Sequence, residues 1–336
     1  MNGISRRAFN SVLASALACS VVRPAWANPK RETKVVLLLS GVITDGGWGQ
    51  LAYDGLKELD AHPGFKTAYA ENITLAQMDQ VARGYSDDGF DLIIGHGNEF
   101  SSALLAVAPG YPAQHYFVTT FLSEEQVPRN IMYVNLGYFA AAYGAGALAA
   151  LISDKKQAVG FVGGDDDPNQ QRMKKAFIAG AERTVPGVRG LAIITGDYDN
   201  AAKGREAASI LTGNGADVIW HAADVTGLGA IQGAVAANVK VIGCYSDQTY
   251  LAPNNMATSF QMNLNGMVVT IATEVADGTF AGGTEWDAPV DQMWLLKSGQ
   301  NGDHNPRLVT ADQWKAFQKI WTDLAARKID VDVFAS

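Results

Sequence analysis

The sequence predicts an α/β protein built from two doubly wound parallel-sheet lobes, and two observations carry that expectation. Short, almost wholly apolar runs alternate with amphipathic stretches along nearly the whole chain, the pattern of parallel strands buried on both faces between helices. The alternation breaks at Pro128–Asn130 and again at the isolated run Met256–Met262, as it would where the chain leaves one lobe and later returns to it.

Ahead of the alternation, Met1–Ala27 reads as an export segment and stands outside the fold. Arg6 and Arg7 supply a basic start, Val12–Val22 an apolar core, and Ala25-Trp26-Ala27 a small-x-small cleavage site. Ser5-Arg6-Arg7-Ala8-Phe9 matches the twin-arginine export pattern, with an ordinary secretory signal as the other reading. Ala16-Leu17-Ala18-Cys19 approaches a lipobox but carries Ala16 where Leu is usual. The expected product is therefore periplasmic and soluble, beginning at Asn28, with a lipid on Cys19 as the alternative. The segment takes three arginines and no acid from a chain of formal charge −8, so the remainder is more acidic still. An acidic chain without a basic cluster is poorly suited to nucleic acid or anionic membranes. Past the cut Cys244 is the one cysteine, which excludes a disulfide and a cysteine metal site.

The fold opens with the apolar run Val35–Ser40, a loop, and a helix over Leu51–Leu59. Strands at Thr67–Glu71, Asp91–Gly95, His115–Thr119 and Met132–Asn135 follow, with helices over Ala76–Asp87 and Glu99–Ala108. A long Ala/Gly-rich helix, Tyr138–Ile152, starts the second run. Its strands are Ala158–Gly163, Leu191–Thr195, Ala216–His221 and Lys240–Ser246, and its helices Asn169–Arg183, Ala201–Thr212 and Thr226–Ala237. Met256–Met262 is a crossing strand, followed by a helix over Gly266–Ala276. The tail from Thr284 carries a strand-like run, Gln292–Lys297, and a helix over Ala311–Lys328 that Thr310 can cap. On this division residues 28–134 with 259–283 form one lobe, and 135–258 with 284–336 the other.

In such sheets ligands sit beyond the carboxyl ends of the strands. The residues there are Asp45 and Trp48; His96, Asn98, Glu99 and Phe100; Thr119 and Thr120. The second run adds Gly163–Asp167, Tyr198, Asp199, Asp224, Thr226, Gly227, Ser246, Asp247 and Gln248, and the crossing strand adds Gln261. Aromatics, amides and carboxylates dominate, with few cations, a set that stacks on a planar ring and bonds its edges or holds sugar hydroxyls. The Gly-Gly-Asp-Asp-Asp-Pro stretch at 163–168 lacks phosphate-loop spacing, and its acids suit the first turn of the next helix. It also lacks the alternating oxygen ligands of a calcium loop, and no metal is expected. Ser40 and Ser246 sit in no nucleophile elbow, and Cys244 lies inside a strand, so the residues offer no catalytic centre.

Several blocks resemble the basic membrane protein family of ABC-transporter substrate-binding proteins, which includes bacterial purine-nucleoside receptors. They are Thr44-Asp45-Gly46-Gly47-Trp48 through Ala52-Tyr53-Asp54-Gly55-Leu56, Ile93–Phe100, Val159–Gly164, Tyr198–Glu206, Gly215–Val218, Thr226-Gly227-Leu228-Gly229, and Ser246-Asp247-Gln248 with Ala252-Pro253. The resemblance covers nearly all of the chain past the export segment. It implies a type I periplasmic binding protein fold, two lobes joined by three hinge crossings with ligand closed between them. It also implies a non-enzymatic binder without cofactor, working as a monomer with an ABC-transporter permease. Carried over from nucleoside-binding relatives, Asp45 reads the base and Trp48 stands where Phe is usual. Phe100 or Tyr198 forms further walls, and Gly227 and Asp247 face the sugar; Asn98 and Thr226 join the expected ligand-binding set from the strand ends. Two departures bear on the ligand. The Asn usual after the first-loop Asp is Gly46 here, and the Lys usual on the crossing strand is Gln261. Gln261 brings no charge to a ribose, so a purine base stands beside a purine nucleoside as the expected ligand, with another planar heterocycle or a sugar as the alternative. A sensor docking to a membrane kinase and a nucleoside-processing enzyme are the other classes. The latter would need a nucleophile or metal cluster at the strand ends.

Overall fold

The structure, a computed structural model, describes residues 32–44, 47–119 and 127–335. The export segment, Cys19, Asp45, Gly46 and Thr120 therefore lie outside the described residues.

The chain runs β1 (Thr33–Leu39), α1 (Trp48–Asp60), β2 (Phe65–Ala70), α2 (Met78–Asp87), β3 (Leu92–His96), α3 (Ser101–Val107), β4 (His115–Val118) and β5 (Ile131–Val134). It then builds α4 (Tyr138–Ile152), β6 (Ala158–Gly163), α5 (Pro168–Thr184), β7 (Arg189–Ile194), α6 (Ala201–Gly213), β8 (Ala216–Ala222), α7 (Asp224–Ala236), β9 (Lys240–Tyr245) and β10 (Met256–Met262). It returns through α8 (Leu264–Asp277) and β11 (Thr284–Trp286). A single turn, α9 (Val290–Met293), then leads to β12 (Trp294–Lys297), α10 (Ala311–Ala325) and α11 (Asp332–Ala335).

Strand pairing sorts these into two sheets of order β11-β5-β4-β3-β1-β2 and β12-β10-β9-β8-β6-β7. Pairing is parallel throughout except where β12 runs antiparallel to β10. Both sheets are covered on both faces, as the apolar runs require. In β1, Val35, Leu37 and Leu39 enter the core shared with α1, while Val36 and Leu38 enter the core under the opposite helices. The long Ala/Gly-rich α4 is apolar on every side because it is enclosed, lying between the second sheet, α5 and α10. Its contact with α5 is backbone-close: a Cβ on Gly146 would stand 2.0 Å from the Phe177 carbonyl oxygen, and one on Gly180 2.0 Å from that of Tyr143. Thr310 caps α10 as expected, its hydroxyl accepting from the Gln313 N–H at 3.3 Å while Gln313 Oε1 accepts from the Thr310 N–H at 2.8 Å.

The chain passes between the sheets after β5, after β10 and after β11. The expected lobe boundaries shift by a few residues. Met256–Met262 lies wholly in the second sheet beside β9, so that crossing falls at Asn263 and not at 259. Thr284–Trp286, not expected as a strand, extends the first sheet beyond β5, so the last crossing falls after 286. These are strands at or near a sheet edge, assigned by a partner distant in sequence, which their own apolar pattern does not reveal. The three crossings are tied to one another. The Asn135 N–H donates to the Trp286 carbonyl at 3.1 Å, the Asn263 N–H to the Met293 carbonyl at 2.9 Å, and the Trp294 indole to the Leu136 carbonyl at 2.6 Å.

The glycines separate two effects. Gly146→Ala should lower unfolding free energy by about 1–3 kcal/mol, because the added methyl forces two helices apart. Gly84→Ala, on the exposed face of α2 with open space where its Cβ would go, should raise it by about 0.5–1 kcal/mol through helix propensity. Urea titrations of both variants check the opposite signs.

Candidate functional site

A cleft of about 700 Å³ opens between the lobes at the carboxyl ends of the strands. Trp48, Gly97, Asn98, Glu99 and Thr119 line it from the first lobe. Tyr138, Asp167, Pro168, Asn169, Gln170, Met173, Tyr198, Asp224 and Tyr245 line it from the second.

The first-lobe wall is a hydrogen-bonded stack. Trp48 opens α1, and its ring lies on the buried His96 ring at 4.2 Å between centroids and 19° between planes. His96 Nε2 faces the Trp48 carbonyl at 3.0 Å, and a carbonyl only accepts, so Nε2 carries the proton. Nδ1 is then an acceptor and takes the Thr119 hydroxyl at 2.9 Å, while Thr119 Oγ1 accepts from the Gly97 N–H at 2.9 Å. The chain of donors fixes the indole's support, and with it the plane Trp48 offers to the cleft. Glu99 is held by the Ser40 hydroxyl.

The second-lobe wall is built around Tyr198. Its ring lies against Gly164, where a Cβ would come within 2.1 Å of it, which is why the strand β6 must be followed by glycine. The Tyr198 hydroxyl donates to Asp167 Oδ2 at 3.0 Å and accepts from Gln170 Nε2 at 3.2 Å. Asp167 is the N-cap of α5, its Oδ1 accepting from the Gln170 N–H at 2.9 Å, so the acids of 165–167 precede the helix and do not fill its first turn. Tyr138 and Tyr245 flank the Trp294 indole, with centroids 5.8 and 6.2 Å away. Burial pushes the hydroxyls of Tyr138, Tyr198 and Tyr245 above the usual phenol range, so all three stay protonated. Asp224 and Tyr245 both have left-handed backbone, φ 44° and 68°, strained conformations for side chains other than glycine that persist where a site over-determines them. Among the described lining residues there are three carboxylates, Glu99, Asp167 and Asp224, and no lysine or arginine.

Of the residues expected at the strand ends the structure brings Trp48, Asn98, Glu99, Thr119, Asp167, Tyr198 and Asp224 to the cleft. Five residues expected to contact the ligand lie elsewhere. Phe100 is fully buried in the core beneath Gly95, because the turn that carries it folds back onto the sheet. Thr226 is buried inside α7, where its hydroxyl accepts from the Asn200 N–H at 2.9 Å and its own N–H donates to the Tyr198 carbonyl at 2.9 Å. It positions the Tyr198 loop. Gly227 packs on His221, where a Cβ would stand 1.9 Å from Nδ1. Asp247 ties two loops: Oδ1 accepts from the Thr249 N–H and hydroxyl at 3.0 and 2.6 Å, and Oδ2 from the Gly299 N–H at 2.8 Å. Gln261 is half-buried in β10 between Tyr245 and Leu295, and is not a lining residue. Tyr138, Tyr245 and Gln170 are lining residues that the strand-end rule missed: Tyr138 opens the helix α4, Tyr245 lies inside the strand expected over Lys240–Ser246, and Gln170 sits in the first turn of α5.

His221 gives a pH test of the packing behind the wall. Its Nε2–H donates to Gln248 Oε1 at 2.9 Å, and burial holds its pKa down to about 4 against an ordinary 6.5. The ring is neutral when folded and takes a proton when unfolded, so stability falls as pH drops from about 6.5 toward 4. Between pH 7 and 5 wild type should lose about 2 kcal/mol more than His221→Gln, which cannot titrate. Urea midpoints for both proteins at the two pH values check it. Gly227→Ala should lower stability by about 1–3 kcal/mol at either pH, by crowding this ring.

The family model described as ABC transporter substrate-binding protein PnrA-like matches residues 32–313. Basic membrane protein A of Borreliella afzelii is 28% identical over 303 residues, 89% of this chain and 91% of that one. The ABC transporter nucleoside-binding protein BmpA of Lactococcus lactis subsp. cremoris is 27% identical, over 72% of this chain and 74% of its own. An ABC transporter solute-binding protein from Aeropyrum pernix K1 superposes with a TM-score of 0.75 at 20% identity, covering 89% and 92% of the two chains. One from Conexibacter woesei DSM 14684 gives 0.72 at 25% identity, covering 88% and 97%. With the sheet topology and the interlobe cleft, these matches place the chain: it belongs to the Bmp family of PnrA-like ABC-transporter substrate-binding proteins.

Proposed function

We propose that the protein works outside the cytoplasmic membrane as a monomer, closes its lobes on a free purine base, and delivers it to the permease of an ABC importer. The observation that carries this reading is the pair of aromatic walls, Trp48 from the first lobe and Tyr138, Tyr198 and Tyr245 from the second, on one cleft. Flat rings on both sides suit a planar heterocycle, and the amides and carboxylates between them suit its hydrogen-bonding edge. A relative named for nucleoside binding supports a ligand that carries a nucleobase ring. A base accords with the site better than a nucleoside does. Asp247, expected on the sugar, is already engaged with Thr249 and Gly299, and neither Gly227 nor Gln261 lines the cleft.

Mass spectrometry of ligand extracted from purified protein, followed by calorimetry with purine bases and their nucleosides, tests the reading. Bases should bind more tightly than nucleosides. Trp48→Ala and Tyr198→Ala should each cost roughly 1–3 kcal/mol of binding free energy, the range of base–aromatic stacking. Binding of no purine by folded protein would overturn it, and nucleosides outcompeting bases would overturn the choice of base.

A further inference from the structure

We infer that the hydroxyls of Tyr138 and Tyr245 hold the ligand directly, each donating a hydrogen bond to an unprotonated ring nitrogen of the bound base. The inference rests on the base reading above and adds to its aromatic walls the groups that satisfy the ring's lone pairs. Tyr138 opens α4 and is half-buried, Tyr245 ends β9 and is buried, and both line the cleft. Neither hydroxyl has a hydrogen-bond partner among the described residues, yet neither is sealed from solvent, and the open space that these two residues reach is the cleft. Burial pushes both phenols above the usual range, so each keeps its proton and remains a donor. A hydroxyl taken this far out of water costs free energy until something supplies a partner. One support fixes both rings: Trp294, fully buried and pinned by its indole N–H to the Leu136 carbonyl at 2.6 Å, lies 5.8 Å from Tyr138 and 6.2 Å from Tyr245 between centroids. The two hydroxyls are therefore set relative to each other before a ligand arrives.

The rest of the second-lobe wall cannot take this part. The Tyr198 hydroxyl has committed its proton to Asp167. Gln170 Nε2 donates to the Ala222 carbonyl at 2.9 Å and to the Tyr198 hydroxyl at 3.2 Å. Asp167 and Asp224 only accept when ionised, and no lysine or arginine is among the described lining residues. Apart from the exposed Asn169, the side-chain donors left to this wall are the two phenols. A purine base needs both kinds of partner. Carboxylates suit its N–H groups, but every tautomer also carries ring nitrogens whose lone pairs only a donor can satisfy.

Calorimetry with adenine and its 1-deaza, 3-deaza and 7-deaza analogues, in which one ring nitrogen becomes C–H, tests the inference on wild type, Tyr138→Phe and Tyr245→Phe. Each substitution keeps the ring and removes the hydroxyl, and each should weaken adenine at least about tenfold. The analogue lacking the matching nitrogen should bind wild type at least about tenfold more weakly than adenine, and the matching Phe variant should bind the two within about threefold. Without ligand neither Phe variant should unfold at lower urea than wild type, because the hydroxyl has no partner to lose, whereas Tyr198→Phe, which loses two hydrogen bonds, should. All three analogues binding wild type as tightly as adenine, or Phe variants that weaken every analogue equally, would overturn the inference and leave the base reading standing. A lower midpoint in the unliganded Phe variants would overturn it too, by showing the hydroxyls already engaged. Binding of no purine by folded wild type would overturn both.

Discussion

The indole N–H of Trp294 on the Leu136 carbonyl is the bond on which hinge and cleft both depend. Trp294 belongs to the edge of the second sheet and is fully buried, while Leu136 lies in the first crossing. The same indole ring is flanked by Tyr138 and Tyr245, two walls of the cleft. Around it the core runs without a break from β1 and α1 of the first lobe into α4 and α10 of the second. The crossings are therefore a packed, hydrogen-bonded patch. Any change in lobe angle must be absorbed by dihedrals next to it, and such a change is felt directly by the tyrosines that line the cleft.

The doubly wound architecture was legible because it follows from burial. Val35–Leu39 is apolar at every position, which suits a short strand only if both of its faces are covered, and the alternating helices supply the cover. The cleft was legible in outline, because strand ends converge there whatever the sequence. Individual side chains were harder. Trp48 and Tyr198 follow their strands through loops, and strand-end logic finds them. Tyr245 is the last residue of β9, and only a left-handed turn of its backbone, φ 68°, brings it into the cleft. Tyr138 is the first residue of α4, after a left-handed Gly137. Neither conformation leaves a periodic trace. Thr226 and Gly227 erred the other way. They stand two and three residues into α7, a helix that turns them inward onto the Tyr198 loop and His221.

The buried polar groups behind the cleft do a different task from those facing it. His96, Thr119 and Gly97 form one chain of donors and acceptors; His221, Gln248 and Cys244 form another, in which Gln248 Oε1 accepts from both the His221 ring and the Cys244 N–H at 3.0 Å. Such networks cost desolvation and return geometric definition. Here that definition goes to a tryptophan plane on one side and to the loop after β9 on the other. The strained residues Asp224 and Tyr245 stand at the ends of the neighbouring strands β8 and β9, where cores on both faces hold the backbone.

The order of strands in the two sheets has a consequence for how the chain is made. The first sheet grows outward to β5 early, but its next neighbour, β11, is encoded after the whole of the second lobe's first five strands. The second sheet in turn gains its edge strand β12 after all the other strands of the described residues. Until residues 284–286 emerge β5 lacks its outer neighbour, and until residues 294–297 emerge β10 lacks its own and Leu136 lacks the indole that satisfies it. The two sheets thus gain their outer strands β11 and β12 within about a dozen residues of each other, and a chain cut short before them leaves β5 and β10 as the edges.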